Sequence, residues 1–167
     1  MISKQIPSQA FVSPPELVEE LKPLGRESRC GEGTVLFRKG DPATGVYILL
    51  VGRASLTVTT GNGEAVLARS SGPGRLLGLP GTFLHGTYQL TATIDEDTRL
   101  VFVESEKVMV FLRQRTDMRL IVLDILGREV AKMRSSNLQR ESPAAPNVTA
   151  RPCIDLGRID VARRILC

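Results

Sequence analysis

The sequence contains one short apolar run between two glycines, Gly45-Val-Tyr-Ile-Leu-Leu-Val-Gly52. A run this short, bounded by turn-forming residues, favours a strand that is buried on both faces over a helix. Residues 53–60 then alternate between small or apolar and hydroxyl side chains, and Gly61-Asn62-Gly63 accepts positive φ at little cost. Residues 64–69 return in β-rich sequence. We therefore predict a β-hairpin directly after the buried strand.

Further β-rich segments continue this pattern as far as Glu104. Residues 88–94 and 98–104 both read as strands, and an acidic turn at 95–97 joins them. Between the hairpin and these strands, residues 71–81 are rich in glycine and proline, which predicts a loop or a short turn of helix. Several strands in succession without intervening helices indicate a β-sandwich or jelly roll.

Helical patterns flank the β-rich region. A short helix is predicted from Ser13, with reciprocal capping between Ser13 and Glu16, and a second short helix at 105–112. A long helix is predicted at about 117–135, and its apolar residues cover an arc of roughly 200°. This arc is wide enough for two partners, the β domain and a second copy of the chain, although one deep groove in a monomer is the alternative. The residues assigned to the dimer helix are Met118, Ile121, Val122, Ile125, Leu126 and Met133.

Composition indicates a globular protein and sets the domain division. The chain has 167 residues, 42% of them hydrophobic and 24% charged, with a net charge of +4. We divide it into an N-terminal helical segment (1–25), a β domain (26–104), a short helix with a long dimerisation helix (105–140), and a proline-rich linker with a basic tail (141–167). Within the tail, residues 155–166 could form an amphipathic helix.

Several functional classes are disfavoured. Cys30, Cys153 and Cys167 are scattered and odd in number, so we expect neither a disulfide framework nor a metal site, and a reducing cytoplasm is the simplest compartment. No signal peptide or membrane-spanning segment is expected. A metal-dependent jelly-roll enzyme would need several histidines, whereas the chain has one, and no nucleophile elbow or P-loop is present in the sequence. We therefore expect no enzymatic activity.

The order of these features resembles the cyclic nucleotide-binding sensor domain of the CRP/FNR type. The resemblance covers about 14–140 and rests on the early helix and on the order of a glycine-rich loop, two strands, a short helix and a long helix. Its fragments are Gly31-Glu32-Gly33, Leu36-Phe37, Gly40-Asp41, Tyr47-Ile48-Leu49 and Gly52-Arg53-Ala54. It implies mainly β structure with flanking helices, namely an eight-stranded double-stranded β-helix, or jelly roll, followed by a long C-terminal helix that pairs two subunits in parallel.

In this family, the loop that corresponds to residues 76–92 is the phosphate-binding cassette. Its glycine corresponds to Gly78, the glutamate that binds the ribose corresponds to Leu79, and the arginine that neutralises the phosphate falls at Gln89 or Leu90. Neither substitute carries the needed charge, so we expect altered or lost binding of cyclic nucleotide and no other cofactor, unless Arg75 replaces the missing cation. The candidate ligand-binding residues are Leu77, Gly78, Leu79, Gly81, Gln89, Leu90, Thr91 and Ala92.

Two residue-level alternatives and two functions stay open. His85, the only histidine, lies in the cassette, where relatives can hold haem, but a lone loop histidine is more often a surface or structural group. Phe83 and Tyr88 fit core positions better than ligand contacts. The residues after the long helix contain no pair of helices with a tight turn, so we expect no direct DNA binding by this chain alone. The chain is thus either a dimeric regulatory sensor with an altered pocket, acting in signalling or transcription, or a ligand-free dimerisation and protein-interaction module.

Overall fold

The computed structural model describes residues 13–59, 61–136 and 154–155. Its helices are α1 (Pro15–Leu21), which a 3₁₀ turn (Lys22–Leu24) extends, α2 (Leu79–Phe83), α3 (Ser105–Gln114) and α4 (Thr116–Ser136). Its strands are β1 (Arg26–Cys30), β2 (Val35–Phe37), β3 (Gly45–Val51), β4 (Ala54–Thr59), β5 (Ala65–Ser71), β6 (Leu76–Leu77), β7 (Thr91–Ile94), β8 (Thr98–Glu104) and β9 (Ile154–Asp155).

The strands form two sheets in which every neighbouring pair is antiparallel. One sheet has the order β6-β3-β8-β1-β9 and the other the order β2-β7-β4-β5. Strands β1–β8 thus supply eight antiparallel strands, and β9 adds two residues at one edge. The prediction of a mainly β fold with flanking helices is confirmed.

The predicted hairpin is also confirmed, since β4 and β5 pair from Ala54↔Ser71 to Thr59↔Ala65. The turn between them uses a positive φ of 87° at Gly63, a conformation that glycine adopts at little cost. The register shifts between Leu56 and Thr57, which marks an irregularity that the sequence pattern did not reveal.

Strand β3 is buried on both faces, as its apolar run predicts. Val46 and Ile48 pack on one face and Leu49 on the other, and all three side chains are fully buried. The five-stranded sheet therefore separates two cores. One core lies between this sheet and helices α1, α3 and α4, and the other lies between the two sheets.

Two predictions of local secondary structure are wrong. The strand predicted at 88–94 begins only at Thr91, because Tyr88 instead donates its backbone N–H to the Asp41 carbonyl at 2.9 Å and buries its ring. The predicted capping box also does not form, since α1 has Pro14 at its N-cap and no side-chain cap. The Ser13 hydroxyl accepts a hydrogen bond from the Leu76 N–H at 3.1 Å, a partner 63 residues away.

The cysteine prediction is corrected as well. Cys30 takes part in a disulfide bond at the end of β1. Strand β9 pairs beside it, with Arg29 opposite Ile154 and Ser28 opposite Asp155. The spacing of the three cysteines in the sequence did not indicate this bond. Asp155 lies in β9 rather than at the start of a helix, and the linker and most of the tail lie outside the described residues.

Helix α4 packs its apolar face against its own chain. Met118, Val122 and Ile125, which were assigned to the dimer helix, are buried in the core beneath the helices, whereas Ile121 and Leu126 are half-buried. The side chain of Met133 lies outside the described residues. Among the α4 side chains that the structure describes, the large apolar ones left exposed are Leu120 and Leu123, with 63% and 49% exposure.

Arg115 fixes the corner between α3 and α4. Its guanidinium donates to both carboxylate oxygens of Asp117 at 3.1 and 2.9 Å and to Glu20 of α1 at 2.8 Å. Hydrogen bonds from Arg115 hold the pKa of the Asp117 carboxyl below its usual range. None of the helices in the described ranges combines the length and hydropathy needed to traverse a bilayer.

Truncation of a side chain in the inter-sheet core tests this arrangement. We expect Leu49→Ala to lower the free energy of unfolding by about 2–5 kcal/mol, because it removes a fully buried side chain and leaves a cavity. The control is Leu67→Ala on β5, whose side chain is 59% exposed and for which we expect a change of about 1 kcal/mol or less. Urea denaturation measures both, and equal losses would contradict the two-core description.

Candidate ligand site

The cassette region contains a short helix, α2, which contacts β3 of the five-stranded sheet and helix α3. Gly78 precedes α2 and has a φ of 84°, and a Cβ there would come within 2.7 Å of the Tyr88 ring. Glycine is therefore required at this position both for its backbone conformation and for space. The prediction of a short turn of helix in this stretch is confirmed by α2.

A buried hydrogen-bond cluster joins the cassette to the first residue of β3. The Gly45 carbonyl accepts from the Tyr88 hydroxyl at 2.8 Å, and the Gly45 N–H donates to the same hydroxyl at 3.2 Å. The Thr82 hydroxyl lies 2.8 Å from the Gly45 carbonyl and 2.9 Å from that of Gly78. A Cβ on Gly45 would collide with the Val103 carbonyl, so β3, β8 and the cassette meet here in close contact.

Several backbone N–H groups of α2 and of the turn after it are already paired. Pro80 has none, and the N–H groups of Thr82, Leu84 and Gly86 donate to carbonyls within the turn at 2.9–3.1 Å. These amides are therefore committed to holding the turn.

A cavity of about 60 Å³ lies beside the cassette and below α4. Six of the eight candidate ligand-binding residues line it: Leu77, Gly78, Leu79, Gly81, Gln89 and Leu90. The other two lie on β7, where Thr91 accepts a hydrogen bond from the Lys39 N–H at 3.0 Å and Ala92 is fully buried. The remaining lining residues are Phe37, Leu56, Arg69, Leu76, Pro80, Tyr88 and Ile125.

The residues at the positions that matter most for a cyclic nucleotide are uncharged. Leu79 is 3% exposed and packs into the core beneath the helices, and Leu90 packs against the core between the sheets. Gln89 is exposed, and its side-chain amide donates to the Thr87 carbonyl at 3.0 Å.

Arg69 on β5 is the lining residue with a permanent charge, and the sequence analysis missed it. Its place depends on how β5 folds over the cassette, and the only sequence signal was its position in the returning strand of the hairpin. Arg75, the alternative cation, does not line the cavity, and its backbone carbonyl accepts from the Leu49 N–H at 3.1 Å. His85 is exposed in the turn after α2, with a φ of 50°, and also does not line the cavity. The described residues contain no cluster of three or more potential metal ligands.

A row of aromatic rings connects this cavity to a second opening of the β domain. Phe37 stacks on Tyr88 with a centroid distance of 4.0 Å, Tyr47 lies 5.6 Å from Phe37, and Phe102 lies 4.8 Å from Tyr47. Tyr88 and Phe37 line the first cavity, whereas Tyr47 and Phe102 line a cleft of about 390 Å³. Burial, and then the neighbouring Tyr88, raise the pKa of Tyr47 to about 12, so its hydroxyl stays a neutral donor to the Leu36 carbonyl at 3.2 Å.

Comparison with known families agrees with this architecture. The sequence profile of the cyclic nucleotide-binding domain matches residues 27–115. This match spans more than half of the chain, from β1 to the end of α3, and the chain belongs to the cyclic nucleotide-binding domain family. No curated protein sequence matches the chain significantly.

Solved structures share the fold at low sequence identity. The N-terminal domain of a transcriptional regulator from Streptomyces coelicolor has 22% identity and a TM-score of 0.58, covering 75% of this chain and 95% of that one. The catabolite activator protein of Thermus thermophilus has 24% identity and a TM-score of 0.60, covering 75% and 57%. The c-di-GMP responsive regulator CLP of Xanthomonas campestris has 19% identity and a TM-score of 0.60, covering 71% and 58%. The chain thus spans little more than half of the latter two regulators.

The role of Gly78 can be tested by adding a single methyl group. We expect Gly78→Ala to lower the free energy of unfolding by at least about 1–2 kcal/mol, because alanine pays for positive φ and its Cβ meets the Tyr88 ring. Gly72→Ala is the matched control, since nothing lies within 4 Å of its added Cβ and its φ is not in the left-handed region. Urea denaturation compares the two, and a neutral Gly78→Ala variant would contradict the described turn.

Proposed function

We propose that this chain is a non-catalytic regulatory domain of the cyclic nucleotide-binding type, dimeric through α4, whose cassette has altered or lost recognition of cyclic nucleotides. Its setting is signalling or transcriptional regulation in the cytoplasm. The observation that carries the proposal is the apolar chemistry of the cassette at the positions where the family binds ribose and phosphate.

A cyclic nucleotide presents one negative charge and a ribose hydroxyl. At the corresponding positions this chain offers Leu79 and either Gln89 or Leu90, of which Leu79 is buried and Gln89 is bonded to its own loop. A charge-assisted hydrogen bond contributes roughly 1.5–3 kcal/mol, so the loss of both charged partners weakens binding by several orders of magnitude. Arg69 lines the cavity from β5, and it could form an ion pair with an anion whose shape differs from that of a cyclic nucleotide.

The small size of the cavity also argues against the binding of a cyclic nucleotide. It holds about 60 Å³, whereas pockets for drug-sized ligands hold about 300–1,000 Å³. Entry of a nucleotide would require α4 or the leucine side chains to move, since Ile125 of α4 and Leu79 both line the cavity.

This size favours the second function, a ligand-free dimerisation and protein-interaction module on the same fold. In that case, Leu79 and Leu90 act as packing residues that replace a ligand. The two functions differ in one respect only, namely whether any small molecule stabilises the folded chain.

Support for dimerisation comes from the outer face of α4. Leu120 and Leu123 are exposed there, and Gly127 and Ala131 follow on the same face at helical spacing, also exposed. Small residues one turn apart allow two helices to approach closely, and leucines at this spacing supply apolar contact area. The dimer contact that we propose is therefore this face and not the buried face of Met118, Val122 and Ile125.

A thermal scan tests the ligand proposal. We expect cyclic AMP, cyclic GMP and cyclic di-GMP at 1 mM to leave the melting temperature unchanged within about 1 °C, because a ligand stabilises the folded state only in proportion to its binding. The Xanthomonas campestris regulator with cyclic di-GMP serves as a positive control. A rise of several degrees with any of these nucleotides would overturn the proposal.

The same scan with haem and small organic acids separates the sensor from the ligand-free module. A rise with one acid that disappears in Arg69→Gln would identify an altered sensor, since Arg69 is the charged residue of the cavity. No rise with any compound would favour the interaction module.

Sedimentation tests the dimer. We expect the wild-type chain to sediment with about twice its mass of 18.2 kDa and Leu120→Asp/Leu123→Asp to sediment as a monomer, because each aspartate would place a charge in the contact. The matched control is Arg113→Asp/Gln114→Asp, which changes two exposed residues of α3. A monomeric wild-type chain at 100 µM, or a double leucine variant that stays dimeric, would refute this interface.

A further inference from the structure

Cys30 is the last residue of β1 and is disulfide-bonded. Its side chain is 2% exposed and packs in the core between the two sheets. The chain has two other cysteines, Cys153 and Cys167, so the bond has two candidate partners within one chain. Both candidates lie outside the described residues.

The register of β9 distinguishes between Cys153 and Cys167 as partners of Cys30. Ser28 pairs with Asp155 and Arg29 with Ile154 in an antiparallel ladder. In an antiparallel ladder the next residue of β1, Cys30, corresponds to the residue that precedes Ile154 in the sequence, which is Cys153. Directly opposite residues in an antiparallel pair have Cα atoms about 4.5–5.5 Å apart, which lies within the range that a disulfide spans.

We propose that Cys30 and Cys153 form a cross-strand disulfide that fastens β9 to the edge of β1, and that this bond forms and breaks with the redox state of the surroundings. The pair is therefore a modification site. Cytosolic disulfides are usually transient or redox-sensing, which fits a regulatory domain better than a permanent staple.

The position of β9 at a sheet edge supports a dependence on the bond. In the described part of the chain, β9 comprises Ile154 and Asp155, which pair with Arg29 and Ser28. Each residue ordered in such an edge segment costs roughly 1–2 kcal/mol of backbone entropy. A covalent link next to the pairing reduces that cost by holding the two strands together in advance.

The chemistry balances with a small-molecule disulfide as oxidant. The thiolate of Cys153 attacks one sulfur of oxidised glutathione, forms a mixed disulfide and releases one glutathione thiolate. The thiolate of Cys30 then attacks the Cys153 sulfur and releases the second one. The two cysteines together lose two protons and two electrons, and glutathione disulfide is reduced to two glutathione molecules. Dithiothreitol reverses the exchange.

Reduction changes the surface of the β domain. It leaves the outer edge of β1 without its neighbour, and an open strand edge offers N–H and C=O groups to another strand. The change borders the cleft of about 390 Å³, because Ser28 both pairs with β9 and lines that cleft.

Peptide mapping tests the pairing directly. Trypsin separates the three cysteines, since Arg38 and Arg140 lie between Cys30 and Cys153, and Arg158 lies between Cys153 and Cys167. After treatment of the full chain with oxidised glutathione and blocking of free thiols, we expect the Cys30 peptide linked to the Cys153 peptide and Cys167 alkylated. A link from Cys30 to Cys167, or three alkylated cysteines, would overturn the assignment.

Serine variants supply the matched comparison. Oxidation should raise the melting temperature of the wild-type chain and of Cys167→Ser by roughly 5–15 °C and leave that of Cys153→Ser unchanged. The opposite pattern between Cys153→Ser and Cys167→Ser would refute the proposal independently of the mapping.

Hydrogen exchange tests the strap itself, that is, β9 held on β1 by the Cys30–Cys153 disulfide. We expect the β1 peptide that contains Ser28 and Arg29 to be more protected in the oxidised than in the reduced wild-type chain, and equally protected in both states of Cys153→Ser. Equal protection in the two states of the wild-type chain would show that β9 holds without the bond and would refute the redox-dependent strap.

Discussion

The double burial of β3 is the constraint on which the rest of the structure depends. Val46 and Ile48 on one face anchor the three longer helices, and Leu49 on the other face anchors the second sheet. Gly45 lies at the start of the same strand, and its carbonyl accepts hydrogen bonds from the hydroxyls of Tyr88 and Thr82. One strand thus sets the positions of both cores and of the cassette. A displacement of α2 would have to break buried hydrogen bonds or shift β3, so the cassette is mechanically tied to the centre of the domain.

Much of this fold was predictable because its determinants are local. A glycine-bounded apolar run, a Gly-Asn-Gly turn and the 98–104 strand each carry their own signal in the sequence. The errors share a different cause. Ser13 bonds to Leu76, Tyr88 bonds to Gly45 and Arg29 pairs with Ile154, and all three interactions involve partners that are distant in sequence. Local propensity favoured a capping box and a longer strand, and long-range hydrogen bonds prevailed.

The candidate site follows the same division. Its location could be predicted, since the glycine-rich cassette has a recognisable order of residues, and six of the eight residues assigned to it line one cavity. The presence of Arg69 at the site could not be predicted, because its distance from the cassette depends on how the second sheet folds over the first. Leu79 shows the physical consequence of having a leucine where the family has a glutamate. A buried carboxylate at position 79 would need a paired ligand to offset its desolvation, whereas Leu79 is stable in an apolar core without one. The cassette therefore carries no buried charge at position 79 that a bound nucleotide would have to offset.

Under the function proposed above, the folded state does not depend on a nucleotide, so the domain needs another input if it is to act as a switch. Regulation requires two states and something that stabilises one of them more than the other. The proposed strap meets this requirement with covalent chemistry in place of ligand binding. It joins β9, at the edge of the five-stranded sheet, to β1, and β1 pairs through β8 with the central strand β3. A change at the sheet edge therefore reaches the strand that holds the cassette through strand pairings that are present in the structure.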